Sequence, residues 1–341
     1  MQLILAPLEG LADFPMRAVL SRCGGFDWGV APFVRVSNGL LPPRVFLRAC
    51  PELGQGSRTE AGLPIRVQLL GSDPGLLAAH ARRLLALRPA GVDLNFGCPA
   101  PTVTRHRGGA VLLEMPELLF RIAAAVRAEI PASIPLTAKM RLGWKNTEKA
   151  LACAQALADG GIDALTVHGR TGAEGYRPPA RWEWIARIRA AVAVPVIANG
   201  EVWTARDCAL LRAETGCDAV MLGRGAVADP FLARRIRGEA PADPAEDWLA
   251  LTPVIADYWR RTIHYLPPQH APGRLKQWLA LLRRTWPEAD VLHRAARSIR
   301  APETMTRLLE QSGIPCGETE SEISVLSRSG TQNKNATAAH V

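Results

Sequence analysis

Gly91-Val-Asp-Leu-Asn-Phe-Gly-Cys98-Pro99 reads as a short buried strand that runs into a turn of small residues. Val92, Leu94 and Phe96 supply the strand character. Asn95 interrupts the apolar run with an amide that needs partners if it is buried. Gly97 and Pro99 then hold Cys98 in a turn. A lone cysteine at a strand end is most often inert packing, so its chemistry depends on what the rest of the chain brings beside it.

Working outward, the same unit recurs along the chain. Apolar runs at 3–6, 29–34, 65–70, 92–96, 136–140, 164–168, 195–198 and 219–222 end in small or polar residues. Segments of helical periodicity at 14–23, 74–87, 116–129, 147–159, 182–191 and 204–214 lie between them. The spacing, roughly 30 residues, is that of βα units. Eight units in about 240 residues predict an α/β fold of the (β/α)8 TIM-barrel type rather than an open doubly wound sheet. No Gly-x-Gly-x-x-Gly turn follows the first strand. In a barrel the carboxyl ends of the strands share one mouth. Glu9, Arg35, Gln68, Asn95 with Cys98, Lys139 with Arg141, His168 with Arg170, Asn199 with Glu201, and Arg224 are therefore expected to converge there.

After residue 240 no strand follows. Glu239-Ala-Pro-Ala-Asp-Pro244 reads as a linker, and 245–312 as a small C-terminal helical bundle. Leu275, Trp278, Leu279 and Leu282 recur at helical spacing, with Arg274, Arg283 and Arg284 off that stripe. Residues 313–341 are expected to form a disordered tail.

Lysine and arginine outnumber aspartate and glutamate by 41 to 32. Between Arg274 and Arg300 lie seven basic residues and two acidic ones, so five of the nine net positive charges fall in one short segment. Such a cluster predicts an anionic partner, most often nucleic acid. Hydrophobic content of 48% indicates a globular chain, and no apolar run approaches the roughly 18 residues that span a bilayer. The start, Met1-Gln-Leu-Ile-Leu-Ala-Pro-Leu-Glu9, lacks the basic flank of a secretory signal. A soluble cytoplasmic protein with no membrane partner is expected. Seven scattered cysteines without a Cys-x-x-Cys pair argue against a disulfide framework or a metal site.

Three site readings stay open at this level. The glycines of Ala198-Asn-Gly-Glu201 and Leu222-Gly-Arg-Gly225 either cradle a phosphate, as loops after the last two barrel strands commonly do, or only make tight turns. Lys139 can form a Schiff base or stabilise developing negative charge. His168 can be structural or catalytic.

In order along the chain, Ala6-Pro-Leu-Glu-Gly10, Gln68, Asn95-Phe-Gly-Cys-Pro99, Lys139-Met-Arg-Leu-Gly143, His168-Gly-Arg-Thr171, Asn199-Gly200 and Gly223-Arg224 resemble the motif series of the tRNA dihydrouridine synthases. The likeness covers residues 1–312. Phe33-Val-Arg-Val36, Arg58-Thr59, 168–176 and Arg274-Leu-Lys-Gln-Trp278 resemble the C-type members, which act on uridine 16 of the tRNA D loop. The resemblance implies FMN across the barrel mouth, held by Ala6, Pro7, Leu8, Gln68, Lys139 and His168, and by the loops at Asn199, Gly200 and Glu201 and at Gly223 and Arg224. It implies NADPH (or NADH) as electron donor and Cys98 as proton donor to C5 of uracil; a monomeric chain is expected. Asn95 is expected at the uracil edge, with Arg35, Tyr176, Arg274, Lys276 and Gln277 on the RNA. Two departures stand out: Pro101 replaces a lysine common in the family, and the glycine-rich stretch of C-type members is here Arg105-His-Arg-Gly-Gly109. Leu8 replaces a usual methionine, a volume-conserving change.

Three other readings compete with this one. They are an FMN barrel acting on a free pyrimidine, a non-catalytic tRNA-binding protein, and a Schiff-base aldolase using Lys139.

Overall fold

The computed structural model describes residues 1–317 apart from 38 and 242; the end of the expected tail, 318–341, lies outside the described residues. Nine parallel strand segments make a closed barrel: β1 (Gln2–Leu5), β2 (Trp28–Val30), β3 (Val34–Arg35), β4 (Ile65–Leu70), β5 (Val92–Phe96), β6 (Leu136–Arg141), β7 (Ala164–His168), β8 (Val196–Asn199) and β9 (Ala219–Leu222). The ring closes because β1 pairs with both β2 and β9 while β2 pairs with β4.

The run expected as one strand at 29–34 is two pieces. Gly29 pairs with Ile65 at the start of β4, and Val34 pairs with Leu69 near its end. Pro32 lies between them with no N–H to give a ladder, so the strand breaks there. The two pieces act as one stave, and the barrel keeps eight positions.

Helices wrap the outside and start where the sequence offers caps. Asp13 and Asp73 accept the backbone N–H of Met16 and Leu76 at the heads of Phe14–Cys23 and Pro74–Leu85. Thr204 and Asp207 form a reciprocal capping box before Ala205–Thr215. Inside the barrel a small apolar cluster, Ile4, Ala6, Trp28, Val30, Ile197 and Met221, fills one side. The other side is polar. Parallel register sets Gln68 beside Asp93 and Asp93 beside Thr137, then Asn95 beside Lys139, and Arg141 beside His168 and Asn199 toward the mouth.

Beyond the barrel, the helices Trp248–Tyr265, Ala271–Leu282, Pro287–Ala296 and Pro302–Gln311 form the bundle. Leu275, Trp278, Leu279 and Leu282 are fully buried, as their spacing predicts. They join a hydrophobic core that runs unbroken from the barrel helices into the bundle. Polar clasps reinforce the joint: the Trp278 indole donates to the Val227 carbonyl at 2.9 Å, and Thr285 Oγ1 donates to the Ala228 carbonyl at 2.9 Å.

Arg274 completes the joint. Its guanidinium pairs with Asp13, Nε lying 3.1 Å from Oδ2, and also donates to the Gly10 carbonyl. Asp13 thus caps a barrel helix with one oxygen and ties down the bundle with the other. The Lys276 ammonium donates to the Ile299 carbonyl at 2.9 Å. These two of the three cations expected on RNA are engaged within the chain. Arg274→Ala is expected to lower unfolding stability by about 1–3 kcal/mol, because it strands a partly buried charged acceptor. Thermal melting checks this, and an unchanged melting temperature would rule out the strut.

Candidate active site

The turn that opened the sequence reading is held from both sides. Asn95 Oδ1 accepts the backbone N–H of Gly97 at 3.0 Å and of Cys98 at 2.9 Å. Asn95 Nδ2 donates to Gln68 Oε1 at 2.7 Å, Gln68 Nε2 donates to Asp93 Oδ2 at 2.6 Å, and Thr137 Oγ1 donates to Asp93 Oδ1 at 2.6 Å. This buried polar thread fixes which way both amides face, since the backbone N–H groups of Gly97 and Cys98 can only donate and so set Asn95 Oδ1 toward the turn. Burial pushes the Asp93 carboxyl up, against the hydrogen bonds from Thr137 and Gln68 and the charge of Arg66, which lower it.

From the other side, Arg141 Nε donates to the Gly97 carbonyl at 2.8 Å. Its Nη1 donates to the carbonyls of Thr171 and Gly175, at 2.9 and 2.7 Å. One buried guanidinium therefore couples the cysteine turn to the loop that carries Tyr176. The loop after the cysteine closes back on it: Ala110 N donates to the Cys98 carbonyl at 2.9 Å. Gly109 sits at φ +65°, where a Cβ would meet that same carbonyl oxygen at 2.4 Å, so the approach requires glycine.

Cys98 differs from the other six cysteines, all of which are buried. It is partly exposed at the mouth, and burial pushes its thiol up while Arg141 and Arg35 pull against that shift. The net shift favours the protonated thiol over the thiolate. The Tyr176 ring, 52% exposed, lies over the mouth with the guanidiniums of Arg224 and Arg141 at 4.5 and 5.2 Å from its centre and His168 at 6.2 Å.

The opposite wall is cationic. Burial, then the charge of Arg141, pulls Lys139 down to about 7. Burial and the surrounding charges of Arg141, Lys139, Arg170 and Arg224 hold His168 well below the ordinary histidine value. Arg170 Nη1 donates to His168 Nε2 at 3.2 Å, so the neutral ring carries its proton on Nδ1. Arg170 also pairs with Glu201, whose other oxygen accepts the Trp203 indole at 2.7 Å. Trp203 is flanked by Arg284 at 4.0 Å and Arg224 at 5.2 Å.

These groups line one cavity of about 310 Å³. Every site residue read from the sequence reaches it except Arg35, Arg274 and Lys276. Arg35 instead lines a second cavity beside it. From the bundle only Gln277 reaches the cavity wall, among the described residues. The sequence reading placed Arg141 and Arg170 at the mouth without a task, and it passed over Asp93 and Trp203. For Asp93 the signal was its two-residue offset from Asn95, which marks a polar inward face on an apolar strand. For Trp203 the signal was only its place two residues past Glu201; the arginines that flank it, Arg224 and Arg284, come from distant segments.

Glycines shape the far end. At Gly200, φ +122°, a Cβ would press on His168 Cδ2 at 2.9 Å, and at Gly225 on the Val202 carbonyl at 2.1 Å; both are needed for the backbone itself. Gly223 differs, because a Cβ there would meet only Leu8 Cδ2 at 3.7 Å and Ala6 Cβ at 3.9 Å. Its bare backbone faces the cavity.

The fold has known counterparts. A histamine dehydrogenase from Rhizobium sp. 4-9 superposes with a TM-score of 0.55 at 13% identity, over 75% of this chain and 48% of that one. A 2-naphthoyl-CoA reductase does so with the same score and identity, over 71% and 50%. Sequence relatives are far closer. The tRNA-dihydrouridine(16) synthase of Ralstonia nicotianae is 52% identical over 318 residues, 93% of this chain and 98% of its own. That of Aquipseudomonas alcaligenes is 52% identical over 314 residues, 92% and 100%. The family model described as dihydrouridine synthase (Dus) matches residues 4–309, from the first strand to the last bundle helix. That match, spanning barrel and bundle alike, makes this chain a member of the dihydrouridine synthase family.

Proposed function

We propose that this chain reduces the C5=C6 bond of a uridine in the tRNA D loop, at position 16, to 5,6-dihydrouridine. The observation that carries the reading is Cys98: the one cysteine outside the core, kept as a thiol, on a turn that Asn95 and Arg141 fix at the rim of a cationic cavity. Relatives named tRNA-dihydrouridine(16) synthase, 43–52% identical along nearly the whole chain, support the substrate.

The cavity fits FMN on two counts. Arg141, Arg170 and Arg224, joined by Lys139 when it is protonated, outnumber the carboxylates of Glu9 and Glu201 in its lining, and the open backbone of Gly223 forms a cradle against Ala6 and Leu8. Asn199 to Glu201 with Gly223 and Arg224 would hold the phosphate end; Ala6 to Leu8, Gln68, Lys139 and His168 would hold the ring. When bound, FMN reduced by NADPH supplies the hydride that enters at C6 of uracil.

The chain's own residues do the rest. Hydride at C6 leaves negative charge shared by C5 and O4, so a proton must reach C5. The Cys98 thiol gives it. Burial keeps that proton in place until it is needed, and the guanidiniums of Arg141 and Arg35 stabilise the thiolate left behind. Asn95 has committed its oxygen to the turn and one N–H to Gln68, which leaves one N–H for a uracil carbonyl. Flipping the base out of a folded tRNA costs about a few kcal/mol; stacking on Tyr176, worth roughly 1–3 kcal/mol, offsets part of that.

Mapping dihydrouridine in tRNA from cells lacking the gene tests both reaction and position. Loss at position 16 alone is expected, and its persistence there would refute the assignment. The purified protein should show flavin absorption bands. A colourless protein that traps substrate on borohydride treatment would favour Schiff-base chemistry at Lys139, whose lowered pKa leaves an appreciable fraction as free amine at neutral pH.

A further inference from the structure

A second cavity, of about 550 Å³, opens beside the cysteine turn over the carboxyl ends of β3 and β4. Three segments wall it: 35–37 leaving β3, 70–73 leaving β4, and 103–108 of the cysteine loop. Arg35, Arg105 and Arg107 surround it, with His106 and the hydroxyls of Ser37 and Ser72. Buried arginines of the helices meet carboxylates, as Arg17 meets Glu52 and Arg235 meets Asp229. Here, among the described residues, none of the three guanidiniums makes a hydrogen bond or an ion pair. The one carboxylate in the wall, Asp73, accepts the N–H of Leu76 through Oδ1 at 2.7 Å and pairs with none of the three.

The backbone presents these cations deliberately close to the chemistry. Arg107 adopts φ +54°, a left-handed conformation that costs an arginine about 1 kcal/mol. Gly108 N donates to the Val103 carbonyl at 3.2 Å, and the next residues close on the Cys98 carbonyl. Whatever fills the groove therefore sits one short loop from the reacting thiol.

We propose that this groove is a phosphodiester site in which Arg105 and Arg107 join Arg35, already expected on RNA, in gripping the backbone next to the nucleotide whose base enters the mouth. The proposal rests on tRNA being the substrate. Phosphate could also arrive on the nicotinamide dinucleotide, but Arg105 and Arg107 are exposed and hydrated. Such cations hold a single small anion weakly, whereas along a polyanion each contact releases condensed counterions and the gains accumulate.

The test compares the wild type with the double variants R105A/R107A and R105K/R107K. Equilibrium binding of unmodified tRNA is measured between 50 and 200 mM salt, about the range over which phosphate contacts are strongly screened. The alanine variant should bind at least about tenfold more weakly at low salt, with a salt slope shallower by about 1.5, and the lysine variant should recover most of the slope. Unchanged affinity and slope in the alanine variant would overturn the site. So would a raised KM for NADPH, read without tRNA, at unchanged tRNA affinity; that result would hand the groove to the reductant. Binding needs no turnover, so a wild type that binds tRNA but forms no dihydrouridine sinks the proposed reaction and leaves the groove standing. A wild type that binds no tRNA overturns both.

Discussion

Cys98→Ala should lower dihydrouridine formation by about 10²–10⁴-fold, the usual worth of a positioned proton donor, while FMN content and tRNA affinity stay near wild type. The split follows from how the turn is built. Asn95 grips the backbone N–H groups of Gly97 and Cys98, and Arg141 grips the Gly97 carbonyl; none of these bonds involves sulfur. Alanine therefore removes the proton and little else. Single-turnover reduction of unmodified tRNA by the pre-reduced protein measures the step directly. Full activity would show that the proton comes from solvent or from another group at the mouth, and Glu9, whose carboxyl burial pushes up, would be the next residue to change.

The second large effect is expected at Arg141, although this residue gives no proton. Arg141→Met keeps much of the buried stem but strands three carbonyls, those of Gly97, Thr171 and Gly175. Leaving buried acceptors unpaired costs about 1–3 kcal/mol each. Both loops should loosen together, so kcat falls by about 10²-fold and KM for tRNA rises as Tyr176 loses its placement. A second signature has a definite sign. Arg141 is among the charges that lower Lys139 and His168, so its removal moves both titrations upward, Lys139 from about 7. Any pH dependence of flavin reduction governed by Lys139 then shifts to higher pH. A variant with wild-type kcat and an unmoved profile would show that the loops are held by other means.

Much of this architecture was legible because barrel strands write themselves as short apolar runs and the mouth collects whatever follows each run. Cys98, Lys139, His168 and Asn199 could be brought together from spacing alone. The break at Pro32 was also legible in principle, since proline cannot donate to a ladder, but the strong apolar run from Gly29 to Val34 outweighed it. What spacing could not give was partnership. Arg274 looks like a solvent-facing charge on an amphipathic helix until Asp13, on the far side of the sequence, is seen beneath it. Arg141 reads as one more polar residue at a strand end; only the meeting of two loops over it reveals three bonds. The groove at Arg105 and Arg107 is likewise assembled from three loops, none distinctive by itself.

The seat of Trp278 against Val227 has an implication for engineering and descent. The helix that carries it also hands Gln277 to the cavity wall, and its apolar stripe is continuous with the core of the barrel. The bundle is therefore a keyed part. Cutting the chain near 240 would bare a greasy socket on the barrel, and grafting another family member's bundle to redirect the enzyme along its RNA would work only if that bundle brought counterparts of Arg274, Trp278 and Thr285 to meet Asp13 and the carbonyls of Gly10, Val227 and Ala228. Any exchange of target by exchange of the bundle must therefore carry this seam with it.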